Sequence, residues 1–314
     1  MSSGKAEEAS IPGLYGRLTT TPPVGVWTSI RAASDPSDTP WACPGSARCP
    51  AAVDAGTYAV ARGGWFGRSG RVRPGSRTGA PLARNDPAQY DDLAGEWWRP
   101  YGLFAMLRWI AEARAALLPP ARRPGALLVD LGCGAGLLSP HAARLGYRHV
   151  GVDLGARALG IARGHGVVPV RADVTRLPLA DGVADAVSAG EILEHVTDLR
   201  GAVAEACRVL RPGGTLVIDT IAATRLARLV AVTIAERVPG GAPPGIHDPA
   251  LFVDRRLLRE EAARHGVRLT LRGMRPSTPG VARWLARRTP DVRMVPMRST
   301  AVLFQAYGVK EGAR

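Results

Sequence analysis

Val129-Asp130-Leu131-Gly132-Cys133-Gly134-Ala135-Gly136 is a short apolar strand that runs into a glycine-rich turn at the head of a helix. Glycines there let the backbone approach a ligand closely, and a helix N-terminus offers free N–H groups and partial positive charge. A nucleotide-like ligand is implied, with Gly132, Gly134 and Gly136 forming its turn. The spacing is G-x-G-x-G behind an acid, not the G-x-G-x-x-G that cradles a pyrophosphate. Asp130 would repel a pyrophosphate but suits a ligand with a cationic aminoacyl group. S-adenosylmethionine fits better than NAD.

Outward from this turn, short apolar runs alternate with helical ones: ALLVDL (126–131), HVGVD (149–153), VVPVR (167–171), ADAVS (184–188) and GTLVID (214–219). Continuous β-branched runs separated by helical spacing mark buried parallel strands with crossover helices, so a doubly wound, mostly parallel α/β sheet is expected. Asp153 ends the second strand, where a carboxylate can accept both ribose hydroxyls; a plain strand-end cap is the alternative. Asp173 follows the third strand and is placed to accept from an adenine amino group, or simply to cap its turn. Upstream, residues 88–118 carry helical spacing through Leu93, Trp97, Leu103, Phe104, Leu107, Ile110 and Leu117, ending before Pro119-Pro120. Downstream come a helical stretch over 222–238, a helix over 254–265 with Asp254 as N-cap and Gly266 as stop, and strands near 267–273 and 298–306.

Composition bounds the rest. The chain has 314 residues, 46% hydrophobic and 22% charged, enough for one large or two ordinary domains. Residues 1–85 hold 12 Gly and 9 Pro with no sustained periodicity, which reads as a disordered extension before a domain over 86–314. No apolar run is long enough to span a bilayer and no secretory signal is seen at the start, so a cytoplasmic protein is expected. The net charge of +14 is spread along the chain, and Lys5 and Lys310 are the lysines among 41 basic residues. No block reads as a nucleic-acid arm. Cys43, Cys49, Cys133 and Cys207 are scattered and expected to be reduced and metal-free.

Taken in order, DLGCGAG, GVDLG, RAD…LPLADG, DAVSAGEILEHV and RVLRPGGTLVI resemble a class I S-adenosylmethionine-dependent methyltransferase. The flanks narrow the resemblance to the ubiquinone-biosynthesis O-methyltransferases: Tyr90, Leu93, Ala94, Trp97 and Trp98, then Gly102, Phe104, Leu107, Ile110 and Arg114, and later Gly245-Ile246-His247-Asp248 with Phe252. It runs from about residue 88 to 306. The implied fold is a seven-stranded Rossmann-like sheet with N-terminal helices. The implied cofactor site is Arg114, Gly132, Asp153 and Gly190, with Arg114 a physically sensible partner for the methionine carboxylate.

Glu191, Glu194 and His195 form E-x-x-E-H after the fourth strand, and on a helical turn such positions point one way. In the resembling family this motif goes with magnesium or another divalent metal, which would orient and acidify a phenol. The alternative is an acidic helix start with His195 buried. Segment 222–250 resembles an inserted lid whose basic amphipathic part contacts the membrane from its inner face. The expected reaction is O-methylation of a small-molecule phenol or quinol, with His195 and then His247 as candidates for handling the hydroxyl proton. An RNA methyltransferase, an enzyme of unrelated secondary metabolism and an inactive cofactor-binding scaffold are the rival readings.

Overall fold

In the computed structural model the residues described are 83–237 and 242–312. Nearly all of the expected extension, and with it Cys43 and Cys49, lies outside them. Eight strands form one sheet: β1 (Leu127–Leu131), β2 (Arg148–Asp153), β3 (Val168–Arg171), β4 (Ala184–Gly190), β5 (Leu210–Ile221), β6 (Thr270–Pro276), β7 (Met294–Met297) and β8 (Leu303–Val309). Their order is β3-β2-β1-β4-β5-β8-β6-β7. The first five pair in parallel, and β8, β6 and β7 are added antiparallel. The five parallel strands are those read from the apolar runs.

The helices are α1 (Ala88–Asp92), α2 (Ala105–Ala115), α3 (Ser139–Arg144), α4 (Ala156–Gly164), α5 (Leu199–Val209), α6 (Arg225–Ala227), α7 (Arg255–Arg264) and α8 (Thr278–Leu285). They cover both faces of the sheet, and β1 shows why its sequence carries no polar alternation. Val129 and Leu131 pack in one cluster with Val203, Ala206 and Cys207 of α5 and Leu258 of α7. Leu128, pointing the other way, clusters with Ala115 of α2, Ala142 of α3 and Val217 of β5. Each such side chain contributes about 1.5–3 kcal/mol by leaving water. Cys133 and Cys207 are buried free thiols.

Asp254 caps α7 as expected, accepting from the N–H groups of Arg256 and Leu257 at 2.7 and 3.2 Å. Of the helical stretch expected over 222–238, the described part to residue 237 is irregular: α6 continues as a π-helical run over Arg228–Ile234 and a 3-10 turn over Ala235–Arg237. The sheet has one strand more than the expected seven, because β7 pairs with β6 at the edge, reached through α8. Four residues with Pro296 among them carry no readable period. Trp284 of α8 anchors the addition, edge-on to Trp109 of α2 with ring centres 5.4 Å apart.

β1 lies between β2 and β4, so the chain leaves it toward opposite sides of the sheet. In such folds the crevice at the carboxyl ends of these strands takes the ligand. The turn after β1, Asp153 at the end of β2, Gly190 at the end of β4 and Asp219 near the end of β5 all meet there.

Candidate functional site

The glycine turn has left-handed backbone at Gly132, Gly134 and Gly136, with φ of 65°, 50° and 80°. At Gly134 space forbids a side chain as well: a Cβ would stand 2.3 Å from the Trp97 ring. Asp153 fastens this turn to β2. Its Oδ2 accepts from Gly134 N and its Oδ1 from Gly155 N, both at 2.8 Å. Burial raises its pKa, against the N–H groups of Gly155, Gly134 and Leu154. The carboxylate keeps an acceptor position for a ligand hydroxyl. Asp173 is exposed, and its Oδ1 accepts from Thr175 N and Oγ1 at 2.8 Å, so it caps its turn.

Asp130 is buried, with Oδ2 3.3 Å from His149 Nε2 and Oδ1 unpartnered. Burial opposes its charge, yet His149 and Arg114 outweigh that and hold its pKa below the usual carboxylate value. A buried carboxylate held ionised beside a glycine turn suits the ammonium of an aminoacyl group.

Arg114, also buried, reaches the same floor from α2, but its Nη1 is bound to Asp219 at 2.8 and 3.0 Å. The expected methionine-carboxylate partner is thus engaged by an internal acid, with Nε left unpartnered. Gly190 explains how the guanidinium gets there, since a Cβ at that position would lie 1.2 Å from Nη1. Gly190, expected beside the cofactor, is needed here on steric grounds. Asp219 has its pKa pushed up to about 6 by burial, with Arg114 opposing.

Glu191 and Glu194 of the expected cluster lie together, hydrogen-bonded carboxyl to carboxyl, while His195 is engaged with Tyr90 and Asn85. Among the described residues no group of three or more His, Cys, Asp or Glu side chains is placed to hold a metal ion. The reason is backbone. Glu191 has a φ of 50° and the 3-10 turn spans just Leu193–His195, so the helical spacing rule does not apply across the motif. Glu194 points inward, fully buried, and accepts from Thr220 Oγ1 at 2.7 Å; burial pushes its pKa up to about 7. Burial, then Glu194 and Asp219, raises Glu191 well above the ordinary value.

His195 turns the other way. Its Nε2 is 2.9 Å from Tyr90 Oη and its Nδ1 is 2.5 Å from Asn85 Oδ1. Both ring nitrogens are occupied by protein groups, which does not fit metal ligation. Burial pushes the imidazole down to about 3, with His247 adding to the effect. Tyr90 is held protonated by burial and by the charges of Glu194, Glu191 and Asp153.

His247 stacks on His195, ring centres 5.6 Å apart and 18° from parallel. Its pKa is lowered by burial against the pull of Glu236, whose Oε1 lies 3.7 Å from Nδ1. The 84–85 segment ties these pieces together. Arg84 grips the Glu236 carboxylate at 3.2 and 3.1 Å and donates to His247 O at 2.6 Å, while Asn85 N donates to Gly245 O at 3.1 Å. The last residues of the expected extension therefore belong to the site. Asn85, Arg84, Asp219 and Thr220 had no place in the sequence reading. Asp219 carried a signal, an acid at the end of an apolar strand; Asn85, 110 residues from its partner, carried none.

A family model described as a methyltransferase domain matches residues 129–218. The ubiquinone biosynthesis O-methyltransferase of Burkholderia pseudomallei is 34% identical over 176 residues, which cover 52% of this chain and 75% of that protein. The enzyme of the same name from Cupriavidus pinatubonensis is 35% identical over 217 residues, 65% of this chain and 87% of the other. Among solved structures, a SAM-dependent methyltransferase from Thermotoga maritima superposes with a TM-score of 0.50 at 19% identity, covering 71% of this chain and 98% of that one. That likeness bears on the fold.

Proposed function

Because this chain belongs to the S-adenosylmethionine-dependent methyltransferases, in the family of the ubiquinone biosynthesis O-methyltransferases, we propose that it methylates a hydroxyl of a small phenol or quinol. The observation that carries this reading is the Tyr90–His195 pair. A neutral buried imidazole lies 2.9 Å from the Tyr90 hydroxyl, and the Tyr90 ring is 6.2 Å from that of Trp97, which packs on Gly134 of the glycine turn.

S-adenosylmethionine, when bound, supplies an electrophilic methyl on a sulfonium. Asp130 would take its ammonium, Asp153 its ribose hydroxyls, and the backbone at Gly132, Gly134, Gly136 and Gly190 would line it. Asp173 retains Oδ2 for the adenine amino group. Arg114, held by Asp219, contributes positive charge near the aminoacyl end. The chain's own task is positioning plus removal of one proton. The acceptor hydroxyl donates to Tyr90 Oη while the Tyr90 proton moves to His195 Nε2, so the oxygen gains a methyl, Tyr90 is restored and the imidazolium later releases its proton to water. His247 covers the outer face of the His195 ring. No step is assigned to Glu191, Glu194 or a metal.

The segment after β5 supports a greasy acceptor. Leu226, Leu229 and Ile234 are about half exposed, among Arg225, Arg228 and Arg237. This is a surface for an anionic membrane interface on which a polyprenyl-type substrate would be presented. No helix among the described residues is long and apolar enough to cross a membrane.

The test is transfer of labelled methyl from S-adenosylmethionine to catechols and demethylated quinols, with calorimetric binding of S-adenosylhomocysteine. Methylation at a hydroxyl that is lost in Tyr90→Phe and His195→Ala supports the reading. Cofactor binding with transfer to nitrogen, to RNA or to nothing overturns it.

A further inference from the structure

We propose that Asn85 is a positioning residue that holds His195 in the Nδ1–H tautomer, leaving Nε2 as the proton acceptor toward Tyr90. The inference rests on the proton-accepting role given to His195 above.

The hydrogen-bond logic leaves one arrangement. Asn85 Nδ2 is 3.0 Å from the carbonyl oxygen of His195, and a carbonyl can receive a hydrogen bond but not give one. The amide nitrogen must therefore face that carbonyl, which fixes the orientation of the whole side chain. Its Oδ1 then lies 2.5 Å from His195 Nδ1 and has no proton to offer. Nδ1 must carry the hydrogen. In a neutral imidazole Nε2 is then the lone-pair nitrogen, and the Tyr90 hydroxyl donates to it.

The backbone makes the same residue type fitting. Asn85 has a φ of 61°, a left-handed conformation that Asn tolerates better than most side chains. It is held there by its N–H to Gly245 O and by the neighbouring Arg84, bound to Glu236 and to His247 O. The segment that enters the fold just before α1 thus anchors Glu236, Gly245 and His247 and sets the proton on His195. Glu194 accepts from Thr220, and the ring nitrogens of His195 face Tyr90 and Asn85, not Glu191 or Glu194.

Two variants separate this role from a structural one. Asn85→Gly tolerates the left-handed backbone and keeps the N–H but removes the side chain. Asn85→Asp keeps an acceptor at Nδ1 and loses the donor to His195 O. On the full chain with 15N-labelled histidine, His195 assigned by its absence in His195→Gln, the expected result is a protonated Nδ1 and an unprotonated Nε2. Asn85→Gly should lose that signature and at least about tenfold in kcat, with KM and S-adenosylhomocysteine affinity unchanged. Asn85→Asp should keep the signature and most of the rate. A proton on Nε2 in the unmodified chain, or full kcat in Asn85→Gly, overturns the proposal. The tautomer is read without any acceptor, so an Nδ1–H signature in a chain that methylates no hydroxyl refutes the proposed reaction while upholding the tautomer assignment.

Discussion

Arg114 Nη1 lies 2.8 Å from one carboxylate oxygen of Asp219 and 3.0 Å from the other, and the guanidinium fits there because residue 190 has no side chain. A buried ion pair of this kind is costly to break from one side, since the survivor keeps an uncompensated charge. It holds α2 to β5 across the floor of the crevice, next to Asp130.

Gly190→Ala should therefore expel Arg114 from Asp219, and Asp219→Ala should strand Arg114. Asp219→Ala is expected to lose about 3–5 kcal/mol of unfolding free energy, and Gly190→Ala less, because both partners remain and the guanidinium end of Arg114 can shift. Denaturant titration followed by circular dichroism checks this, and an unshifted midpoint in Gly190→Ala would show that the guanidinium has another seat.

Asp153→Ala removes both the Gly134 N–H partner and the proposed ribose acceptor. Affinity for S-adenosylhomocysteine should fall at least about tenfold, as expected for losing charge-assisted hydrogen bonds of roughly 1.5–3 kcal/mol. Calorimetry gives the affinity, and a melting temperature measured alongside distinguishes a loosened turn from a missing ligand contact.

Two buried groups set opposite pH dependences. Glu194 is raised from 4.5 to about 7, so the folded chain holds its proton more tightly than the unfolded one. The stability it contributes is present below pH 4.5 and is lost as pH rises through about 7. His195 is lowered from 6.5 to about 3, so the unfolded chain takes up that proton first and stability falls as pH drops from 6.5 toward 3. Urea midpoints between pH 4 and 8 should show Glu194→Gln gaining on the unmodified chain at the alkaline end and His195→Gln gaining at the acid end. Parallel curves for all three would contradict these assignments.

A chain starting at Ala83 retains Arg84 and Asn85 and is expected to fold, bind S-adenosylhomocysteine and turn over normally. One starting at Ala88 keeps every helix and strand described above but loses the ties to Glu236, His247 and His195. It should bind S-adenosylhomocysteine yet lose at least about tenfold in kcat. Equal rates for the two chains would remove the 84–85 segment from the site.

The features legible along the chain are those that short-range rules control. A strand, three glycines in five residues and an acid at the end of the next strand specify the turn, because steric limits on φ and the alternation of apolar runs act within a few residues. The same local logic located all five parallel strands and the Asp254 cap. It misled at Glu191, where a left-handed residue broke the helical spacing that E-x-x-E-H suggested and sent Glu194 toward Thr220 and His195 toward Tyr90 and Asn85. The tertiary structure alone decided the partnerships of Arg114 with Asp219 and of His195 with Asn85 and Tyr90, each more than 100 residues apart in the chain. Nothing local selects such pairs. Burying a charge or an imidazole is tolerable where a complementary group already waits, and packing of the sheet against its helices fixes where that is.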